Sequence, residues 1–550
     1  MVLTLTQKNP LHLYKHLGIS LNYKTFFNKQ NIPMNNTKLK VLFLILSLLV
    51  ISFAHDYNGH KCTHGQTEHP EPEFGEVDED NFPVPDDAVE PEGGRVLASY
   101  NKLRTYGYYG HMATGSFRTY MQNRLGPAVL SYFGNALRVK YPVSGKLTIP
   151  KSRSTLCGLS VPSVLRTGVT ADYVVLFDSK YDKPASSSSS TWVAESYSCY
   201  LASGSKRPLV AKTLLNSAVF VNPGTNILLH EKNIYMVLHE LTHTLGFSPS
   251  LYNYFLSSSG KKLTGHIKSA TVSGKTSKVV DVAPLTSRIR KFFGCSTLKG
   301  AYMENSGSSA TAGAHFERRL FPFEAMTSGL IYQQAYSEFT LAMLEGSGWY
   351  VPDYSYADAY WFGQGQGCNF LSKTCSSANS LFSDFCTGSS RGCTVMGRGG
   401  GFCQSDIRSD GCKFVHPNVN YDCENTNAKS YARLSSLQSF GRTANSKCFE
   451  GTLSTSSGAS KSSFCFKYNC VGSGTTTKLQ VTVGSKTLTC TEEGSMSVSG
   501  YKGYIKCPDP LAFCSTIGAK TCPRGCMGRG SCVDGKCVCR SGYSGKDCAA

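Results

Sequence analysis

Apolar residues recur with the spacing of a helix over Tyr235–Phe247, whose sequence is YMVLHELTHTLGF. Leu238, Leu241 and Leu245 are three and four positions apart, so they lie on one face of a helix. Gly246 follows the last of them, and glycine is typical of the position just past a helix end. The pattern therefore predicts an amphipathic helix that docks through its leucine face and ends at Gly246.

Two stretches ahead of this helix are typical of strands: the run TADYVVLF at Thr170–Phe177 and the apolar run within Pro208–Val221. Between them, the sequence KPASSSSST at Lys183–Thr191 predicts a loop. Strands and helices alternate from about Arg95 to Leu238, and a further helix is expected over Tyr336–Gly348. These elements predict an α+β domain in which a small mixed sheet lies over the helix, with one edge strand able to pair with an extended peptide.

A third apolar segment, KLKVLFLILSLLVISFA at Lys38–Ala54, begins with two lysines and ends in small residues, as secretory signal peptides do. Its apolar part is shorter than the roughly 20 residues of a membrane-spanning helix, so no transmembrane segment is expected after the signal is removed. The charged start fits Met34 as the initiator better than Met1. We therefore interpret 34–54 as the signal peptide and 1–33 as a non-native extension of the gene model.

Charge divides the rest of the chain into an acidic leader and a basic body. Asp56–Glu92 holds twelve acidic residues and one lysine, whereas the chain from Gly93 onward holds 49 basic and 25 acidic residues, a net charge of +24. We interpret 55–94 as an acidic propeptide, which is either a solvated linker or an intramolecular cover for the basic body. Nucleic-acid binding is not expected, because no nucleic-acid motif accompanies the basic charge.

The 23 cysteines indicate an oxidising compartment, because cysteines at this density occur as disulfides outside the cytosol. We therefore expect a secreted or extracellular protein, with association to the cell surface left open. Nineteen cysteines lie from Cys368 onward, which predicts a C-terminal half held by disulfides. Cys157 and Cys199 are candidates to pair with each other, and pairing is expected among the sixteen cysteines from Cys157 to Cys514.

His239 and His243 lie one helical turn apart within HELTH, so two imidazoles on one helix face can bind a single zinc ion. Glu240 follows the first of them, where its carboxylate can take a proton from a water and return one to a leaving amine. The alternative is a core helix with two hydrogen-bonded histidines. The apolar register and the glycine at the helix end favour the metal site.

A zinc site of this kind needs a third protein ligand. In zincins with the short motif HExxHxxGxxH that ligand follows the glycine by three residues, and here the residue is Pro249, which cannot bind metal. The candidates further along are His266, His315 and Glu345. His315 opens the run HFERRLFPFEAMTSG, in which Met326 precedes small residues suited to a tight turn. This neighbouring turn favours His315 as the third ligand.

The leader contains a lone cysteine, Cys62, between histidines in the sequence HKCTH. Three interpretations are open: a small metal site, an unpaired thiol without function, or a thiolate that binds the zinc in place of water and keeps the site latent. The odd cysteine count favours the third, a cysteine switch.

Four motifs together resemble the leishmanolysin-type metallopeptidases, which are metzincins with a long insertion before the third histidine. They are HELTHTLGF, HFERRLFPFEAMT, HKCTH and the run GCNFL at Gly367–Leu371. The resemblance extends from the leader to at least Cys507. It implies a metzincin-type zincin catalytic domain over 95–350 with its insertion at 248–313, followed by a disulfide-rich C-terminal domain over 351–514.

The resemblance also implies roles for single residues. One Zn²⁺ per chain would have three histidine ligands, His239, His243 and His315. Glu240 would be the general base, Met326 would form a hydrophobic turn beneath the metal, and Cys62 would be the latency switch.

Six cysteines lie close together near the end of the chain, with one residue between Cys537 and Cys539 and eight between Cys539 and Cys548. This spacing resembles an EGF-like module over 522–548, which is too small to form a core without disulfides. The resemblance implies three bridges, Cys522–Cys532, Cys526–Cys537 and Cys539–Cys548. The module is either a spacer or a binder of a protein or surface ligand.

The expected function is that of a secreted zinc endopeptidase, made as a latent precursor, that hydrolyses protein or peptide substrates. The alternative is a non-catalytic cell-surface adhesion or binding protein in which the zincin domain is a scaffold and the EGF-like module binds the partner. Glu240 favours the enzyme, because a scaffold does not need a base beside the metal.

Overall fold

A computed structural model gives the fold of the chain between Pro72 and Cys548, with gaps. The described residues are 72–75, 79, 100–182, 192–220, 222–224, 226–272, 275–306, 313–329, 333–375, 381–389, 391–405, 408–425, 434, 436–441, 445–455, 461–514, 530–533, 536–539 and 548. The chain divides into two compact units, 1–58 and 59–550, and every described residue belongs to the second. The expected signal peptide, Cys62, the loop at 183–191 and most of the EGF-like module lie outside the described residues.

The helices range from single turns to the 19-residue helix that carries HELTH. In chain order they are α1 Ser116–Tyr120, α2 Gly126–Ala136, α3 Ser163–Thr167, α4 Ile227–Leu245, α5 Pro249–Tyr252, α6 Ala283–Phe293, α7 Glu338–Gly346, α8 Cys368–Ser372 and α9 Pro510–Phe513. A π-helical segment at Met121–Leu125 joins α1 to α2, and 3₁₀ turns lie at Tyr354–Tyr356 and Gly474–Thr476. In the described part of the chain, no helix combines the length and the apolar character needed to cross a bilayer.

The strands occur both before and after the long helix α4 in the chain. In chain order they are β1 Glu73–Gly75, β2 Asn101–Lys102, β3 Thr105–Tyr108, β4 Leu137–Val139, β5 Thr155–Leu156, β6 Leu159–Ser160, β7 Tyr173–Lys180, β8 Ala194–Ala202, β9 Pro208–Asn216, β10 Ile267–Val272, β11 Lys275–Val280, β12 Ala301–Tyr302, β13 Tyr350–Pro352, β14 Arg391–Cys393, β15 Gly399–Ser405, β16 Lys413–Asp422, β17 Ser446–Gly451, β18 Ser462–Val471, β19 Lys478–Val483, β20 Lys486–Cys490, β21 Gly494–Met496, β22 Ile505–Cys507, β23 Gly530–Val533 and β24 Lys536–Cys539.

A five-stranded mixed sheet with the order β1-β8-β9-β7-β3 is the main sheet before α4. Strands β3, β7 and β9 are parallel, β8 is antiparallel to β9, and the leader strand β1 pairs in parallel with the outer edge of β8. Helix α4 packs against this sheet. Ser198 Oγ on β8 donates to the carbonyl of Thr244, and the hydroxyl of Tyr173 on β7 is 2.5 Å from Thr244 Oγ1. A mixed sheet therefore lies against the helix that carries HELTH, as the sequence predicts.

Both predicted strands are present, but their ends differ from the prediction. Strand β7 begins and ends three residues later than predicted, and the carboxylate of Asp172 just before it pairs with Arg104 at 2.7 Å. Strand β9 ends five residues earlier, because the side chain of Asn216 accepts the N–H of Ala218 and closes a turn. Helix α7 lies within the predicted range 336–348.

Helix α4 begins and ends at residues that satisfy its terminal backbone groups. At its start the side chain of Asn226 accepts the N–H of Leu229 at 3.1 Å. The three leucines of the predicted docking face are at most 3% exposed, and each buried leucine side chain contributes roughly 1.5–3 kcal/mol. The helix ends at Leu245, and a Cβ at the following Gly246 would lie only 3.3 Å from Leu344 of α7. Gly246 therefore ends the helix and leaves room for α7.

The segment 248–313 is rich in Ser, Thr, Gly and Lys, and its composition predicted no elements. It nevertheless contains α5, the hairpin of β10 and β11, helix α6 and strand β12. On α6, Leu285, Ile289 and Phe293 are at most 1% exposed. These residues are four positions apart, so the helical period was present in the sequence but was obscured by the polar residues between them.

Strands also form the cysteine-rich part after α8, for which the sequence predicted no regular elements. Strands β14, β15 and β16 form one antiparallel sheet, and a six-stranded sheet has the order β20-β19-β18-β17-β22-β21. The second sheet buries its own cluster, which includes Phe464, Phe466 and Val481. Disulfide Cys393–Cys448 connects β14 to β17, so it joins the two sheets.

Disulfides pair all sixteen cysteines from Cys157 to Cys514, which confirms the expected pairing within this set. The bridges are Cys157–Cys199, Cys295–Cys368, Cys375–Cys412, Cys386–Cys403, Cys393–Cys448, Cys423–Cys465, Cys470–Cys514 and Cys490–Cys507. In the EGF-like module Cys539 pairs with Cys548, as the resemblance implies. The other two implied bridges involve residues outside the described part.

A buried group of charges joins the cysteine-rich part to α4. The guanidinium of Arg398 contacts both carboxylate oxygens of Glu231 on α4, and its Nε lies 3.1 Å from a carboxylate oxygen of Asp422. The side chains of all three are at most 12% exposed. Glu424, whose side chain is 11% exposed, lies 3.9 Å from the same Nε, so one cation compensates three carboxylates that are held away from water.

Arg398→Gln is expected to lower the free energy of unfolding by about 3–5 kcal/mol, because it removes the cation that contacts three buried carboxylates. The control is Lys506→Gln, which removes an exposed pair with Glu493 at 3.1 Å and is expected to cost less than about 1 kcal/mol. Denaturant unfolding followed by tryptophan fluorescence compares the two variants. Equally small losses in both would contradict the structural role of the buried group.

Candidate metal centre

Three buried imidazoles meet at one point in the structure. His239 and His243 come from α4, and His315 comes from the segment that follows β12. Nε2 of His239 lies 3.1 Å from Nε2 of His243 and 3.3 Å from Nε2 of His315. All three side chains are fully buried. Among the described residues they form the only group of His, Cys, Asp and Glu side chains close enough together to hold a metal ion.

The separations and the ring orientations fit a tetrahedral zinc site. Nitrogens bound at 2.0–2.1 Å to a tetrahedral ion lie about 3.3–3.4 Å apart. Nδ1 of His239 donates to the carbonyl of Ala325 at 2.6 Å, and Nδ1 of His243 donates to the carbonyl of Phe247 at 2.7 Å. Since a carbonyl only accepts, Nδ1 carries the proton in both rings, and Nε2 is left as the metal-binding nitrogen. The residues present therefore fit zinc.

Glu240 is the residue after His239 in α4, and its side chain is fully buried. It is an acid–base group that the helix holds in the protein interior, next in sequence to a histidine of the cluster. Electrostatic interactions are stronger in such surroundings than in water. This combination of a base and a metal-binding group suits proton transfer to and from a reacting water.

The turn that contains Met326 contacts both parts of the histidine cluster. The N–H of Phe316, the residue after His315, donates to the carbonyl of Met326 at 2.9 Å. Ala325, the residue before Met326, accepts the hydrogen bond from Nδ1 of His239. Met326 itself is fully buried. The turn thus connects the helix that carries two histidines to the segment that carries the third.

A buried carboxylate that the sequence reasoning missed, Glu324, organises this turn. It accepts the N–H and the hydroxyl of Ser337 at 3.2 and 2.8 Å, the hydroxyl of Thr340 at 2.5 Å, and the N–H of Met326. Burial raises the pKa of Glu324 to about 7, although these donors oppose the shift. The sequence did contain a signal for it, because an acidic residue stands within the apolar run FPFEAM. An acidic residue in such a run is expected to be buried, and a buried carboxylate requires hydrogen-bond donors around it.

The other two candidates for the third ligand lie elsewhere. The ring of His266 stacks on Phe255 with centroids 5.7 Å apart, and its Nε2 donates to the carbonyl of Tyr252 at 3.0 Å. Burial lowers the pKa of His266. Glu345 accepts a hydrogen bond from the hydroxyl of Tyr354. Neither residue belongs to the histidine cluster.

One face of α4 carries four polar side chains at intervals of four residues, namely Glu231, Tyr235, His239 and His243. Each contacts a group outside the helix. Glu231 binds Arg398, and the hydroxyl of Tyr235 donates to the Asp358 carboxylate at 2.6 Å. The two histidines donate to backbone carbonyls, as described above. Polar contacts therefore fix the rotation of α4 about its axis, together with the packing of its leucine face.

A family model described as leishmanolysin matches residues 110–406, which is more than half of the chain. The chain belongs to the leishmanolysin family. The resemblance drawn from the motifs is thereby confirmed, and the matched range contains every candidate site residue except Cys62. A second model, described as a tenascin EGF domain, matches residues 521–549 and covers the predicted EGF-like module.

Several metallopeptidases are similar to this leishmanolysin-family chain. It is 30% identical over 292 residues to the ciliated left-right organizer metallopeptidase of Danio rerio, a match that covers 51% of this chain and 45% of that protein. It is 35% identical over 170 residues to the leishmanolysin-like peptidase of Drosophila melanogaster, covering 25% of each chain. The match to the Homo sapiens ciliated left-right organizer metallopeptidase is 27% identical over 328 residues and covers 40% of that protein. These matches span less than half the length of the curated relatives.

His315→Ala is expected to reduce bound zinc from about one ion per chain to a small fraction of that, because only two protein ligands remain. His266→Ala is the matched control, and it should keep its zinc because its ring bonds to a backbone carbonyl outside the cluster. Metal analysis of the purified variants by mass spectrometry measures both. Full zinc in the first variant and loss in the second would assign the third ligand to His266.

Asp358 should make stability depend on pH. Burial raises the pKa of Asp358 from 3.8 to about 6, although the hydroxyl of Tyr235 and the N–H of Tyr336 oppose the shift. Between about pH 4 and pH 6 the folded protein keeps a proton that the unfolded chain releases, so stability falls as pH rises through this window and levels off above it.

Asp358→Asn keeps an acceptor oxygen for Tyr235 and removes the titration. The stability of the wild type relative to this variant should therefore fall by about 2 kcal/mol from pH 4 to pH 6. Thermal unfolding of both proteins between pH 3.5 and 7 measures the difference. A difference that does not change with pH would show that Asp358 keeps its ordinary pKa.

Proposed function

We propose that this leishmanolysin-family protein is a zinc-dependent endopeptidase. The observation that carries the proposal is the convergence of Nε2 of His239, His243 and His315 at separations suited to one tetrahedral ion. The comparisons support it, because the family model is that of leishmanolysin and the similar proteins are named as metallopeptidases.

In the proposed mechanism His239, His243 and His315 hold the zinc ion. When bound, zinc lowers the pKa of water and polarises the carbonyl of the scissile peptide. The carboxylate of Glu240 accepts a proton from the attacking water and then donates a proton to the nitrogen of the leaving amine. Glu240 therefore ends the cycle in the ionisation state in which it began.

The surroundings of the histidines support this assignment of roles. The hydrogen bonds from Nδ1 of His239 and His243 keep both rings in the tautomer that presents Nε2. Met326, buried in the turn next to Ala325, forms the hydrophobic turn beneath the metal in this proposal. Such fixed surroundings reduce the reorganisation that the reaction requires.

Substrate binding in this proposal uses strand β8, which lies against α4 and becomes the edge of the main sheet when the leader strand β1 is absent. Ser198 on β8 contacts the backbone of Thr244, the residue after His243. The backbone N–H and C=O groups of an edge strand pair with any extended chain, so affinity for peptides does not require a particular sequence. An extended polypeptide is therefore the substrate class that we assign.

The proposal includes export and latency. The disulfides between Cys157 and Cys514 form and persist in oxidising surroundings, which supports an extracellular protein. Export would use the signal at 34–54, and the acidic leader would keep the enzyme latent. After the sixteen paired cysteines and the six of the EGF-like module are assigned, Cys62 remains, which supports its role as a thiolate ligand that blocks the zinc.

The second candidate function is non-catalytic adhesion or binding through the EGF-like module. The observation that favours it is the match of residues 521–549 to a tenascin EGF domain. Zinc analysis combined with casein digestion separates the two functions. Bound zinc with chelator-sensitive digestion supports the peptidase, and digestion that is absent from the processed, zinc-loaded protein supports the scaffold.

Glu240→Gln is expected to lower the rate of peptide hydrolysis by at least about 10³-fold, because the amide cannot accept the proton of the attacking water. Zinc content should stay near that of the wild type, because Glu240 is not a ligand in the proposal. Hydrolysis of a quenched fluorescent peptide and metal analysis on the same preparation measure both effects. Turnover at the wild-type rate with full zinc would remove Glu240 from its role.

A further inference from the structure

A short piece of the acidic leader lies on the edge strand of the main sheet. Strand β1, Glu73–Gly75, pairs in parallel with Tyr200–Ala202 of β8. The N–H of Ser203 donates to the carbonyl of Gly75 at 2.9 Å, which extends this pairing by one residue. The leader therefore uses backbone groups on the outer edge of β8.

The fit of β1 to this edge depends on a glycine. A Cβ at Gly75 would lie 2.0 Å from the ring of Tyr200, which is closer than any real contact. The preceding Phe74 meets the ring of Tyr254 edge-on with centroids 5.7 Å apart, and the ammonium of Lys206 lies 4.5 Å from its centroid. Tyr200, Tyr254 and Lys206 thus form a surface that accepts an aromatic residue followed by glycine.

Glu79, four residues after β1, anchors the same leader piece by its carboxylate. The N–H and the hydroxyl of Ser205 donate to it at 3.0 and 2.7 Å, and Nε of Arg207 lies 3.8 Å away. The side chain of Glu79 is 8% exposed, and that of Arg207 is fully buried. A buried, hydrogen-bonded carboxylate beside a buried cation is a specific contact, whereas exposed ion pairs contribute little.

Charge complementarity extends along the whole contact. Glu73 forms an ion pair with Arg153, which also lies over the ring of Tyr200 at 5.4 Å. Together with Lys206 and Arg207, this arginine gives the edge three cations that face an acidic leader. Opposite charges on the two parts favour association and select an acidic segment over others.

We propose that Glu73–Gly75 and Glu79 of the leader form an inhibitory docking segment that occupies β8 in the precursor and excludes substrate from that edge, with Glu79 as its anchor. The inference rests on the proposed peptidase function. Ser198 on β8 contacts Thr244, the residue after His243. The first residue of β1 pairs with Tyr200, two residues further along β8, so β1 begins about 7 Å along the strand from that contact. An edge strand has one free set of backbone groups, so the leader and a substrate exclude each other.

This block is separate from the role assigned to Cys62. A thiolate would occupy the metal, whereas the docking segment occupies the strand that aligns the substrate. A precursor that lacks the thiol therefore keeps part of its latency, and the remaining part depends on Gly75 and Glu79.

The docking is tested first without any need for catalysis, by amide hydrogen exchange on the full-length chain carrying Glu240→Gln. Gly75→Val and Glu79→Ala are each expected to speed exchange at Ser203 by at least about tenfold, because its N–H loses its acceptor in the leader. Glu90→Ala, a change in the same acidic leader at a residue other than 73–79, is the control and should have no effect. Gly75→Val retains every buried charge, so it reports on docking even if Glu79→Ala destabilises the fold. Unchanged exchange in both variants would overturn the docking.

The inhibition is tested in the full-length, unprocessed chain carrying Cys62→Ser. Adding Glu79→Ala is expected to raise hydrolysis of a fluorescent peptide by at least about tenfold over Cys62→Ser alone, and adding Glu90→Ala should leave the rate unchanged. A synthetic peptide of residues 71–81 added in trans should restore the inhibition, and the same peptide with Gly75→Val should not.

The two measurements separate the inference from the function on which it rests. Faster exchange without a faster rate, in a chain that does hydrolyse peptide, would overturn the inhibitory role alone. Faster exchange in the leader variants, together with no hydrolysis by the processed, zinc-loaded chain, would overturn the peptidase function, and the inhibitory role with it.

Discussion

One hydrogen bond, from Nδ1 of His239 to the carbonyl of Ala325, connects the two parts of the candidate metal centre. It selects the tautomer of the ring, and it holds α4 to the turn that also bonds to the residue after His315. The main sheet also supports α4, through the hydrogen bond from Ser198 to the carbonyl of Thr244. Three nitrogens from two distant segments can therefore meet at separations of 3.1 and 3.3 Å, as a single ion requires.

Buried ionisable groups surround this connection. Glu324 organises the turn, Asp358 holds Tyr235, and Arg398 holds Glu231 at the start of α4. Burying such groups does not by itself add stability, and the raised pKa values of Glu324 and Asp358 reflect the cost. Each of them accepts or donates in one geometry only, whereas apolar packing tolerates small rotations. We therefore regard them as the groups that fix the rotation of the helix.

The distribution of charge along the chain has a structural counterpart. The acidic leader meets the basic body at the edge of the main sheet, where Glu73 and Glu79 face Arg153 and Arg207. The same edge is the natural place for an extended peptide, because it lies beside the helix that carries two of the histidines. In the proposed function, a segment of the chain itself therefore takes the place of an extended substrate. Disulfides hold the C-terminal half that completes the fold around α4.

The sequence by itself determined what depends on neighbouring residues: the helix with His239 and His243 on one face, the two strands before it, and a C-terminal half rich in disulfides. The sequence left three candidates for the third metal ligand, and the methionine turn that follows His315 favoured that residue. Only the tertiary structure decided that His315 meets the other two, which cysteines pair, and where Glu79 of the leader lies. Local patterns cannot decide these contacts, because they join residues far apart in the chain and depend on how whole segments pack together.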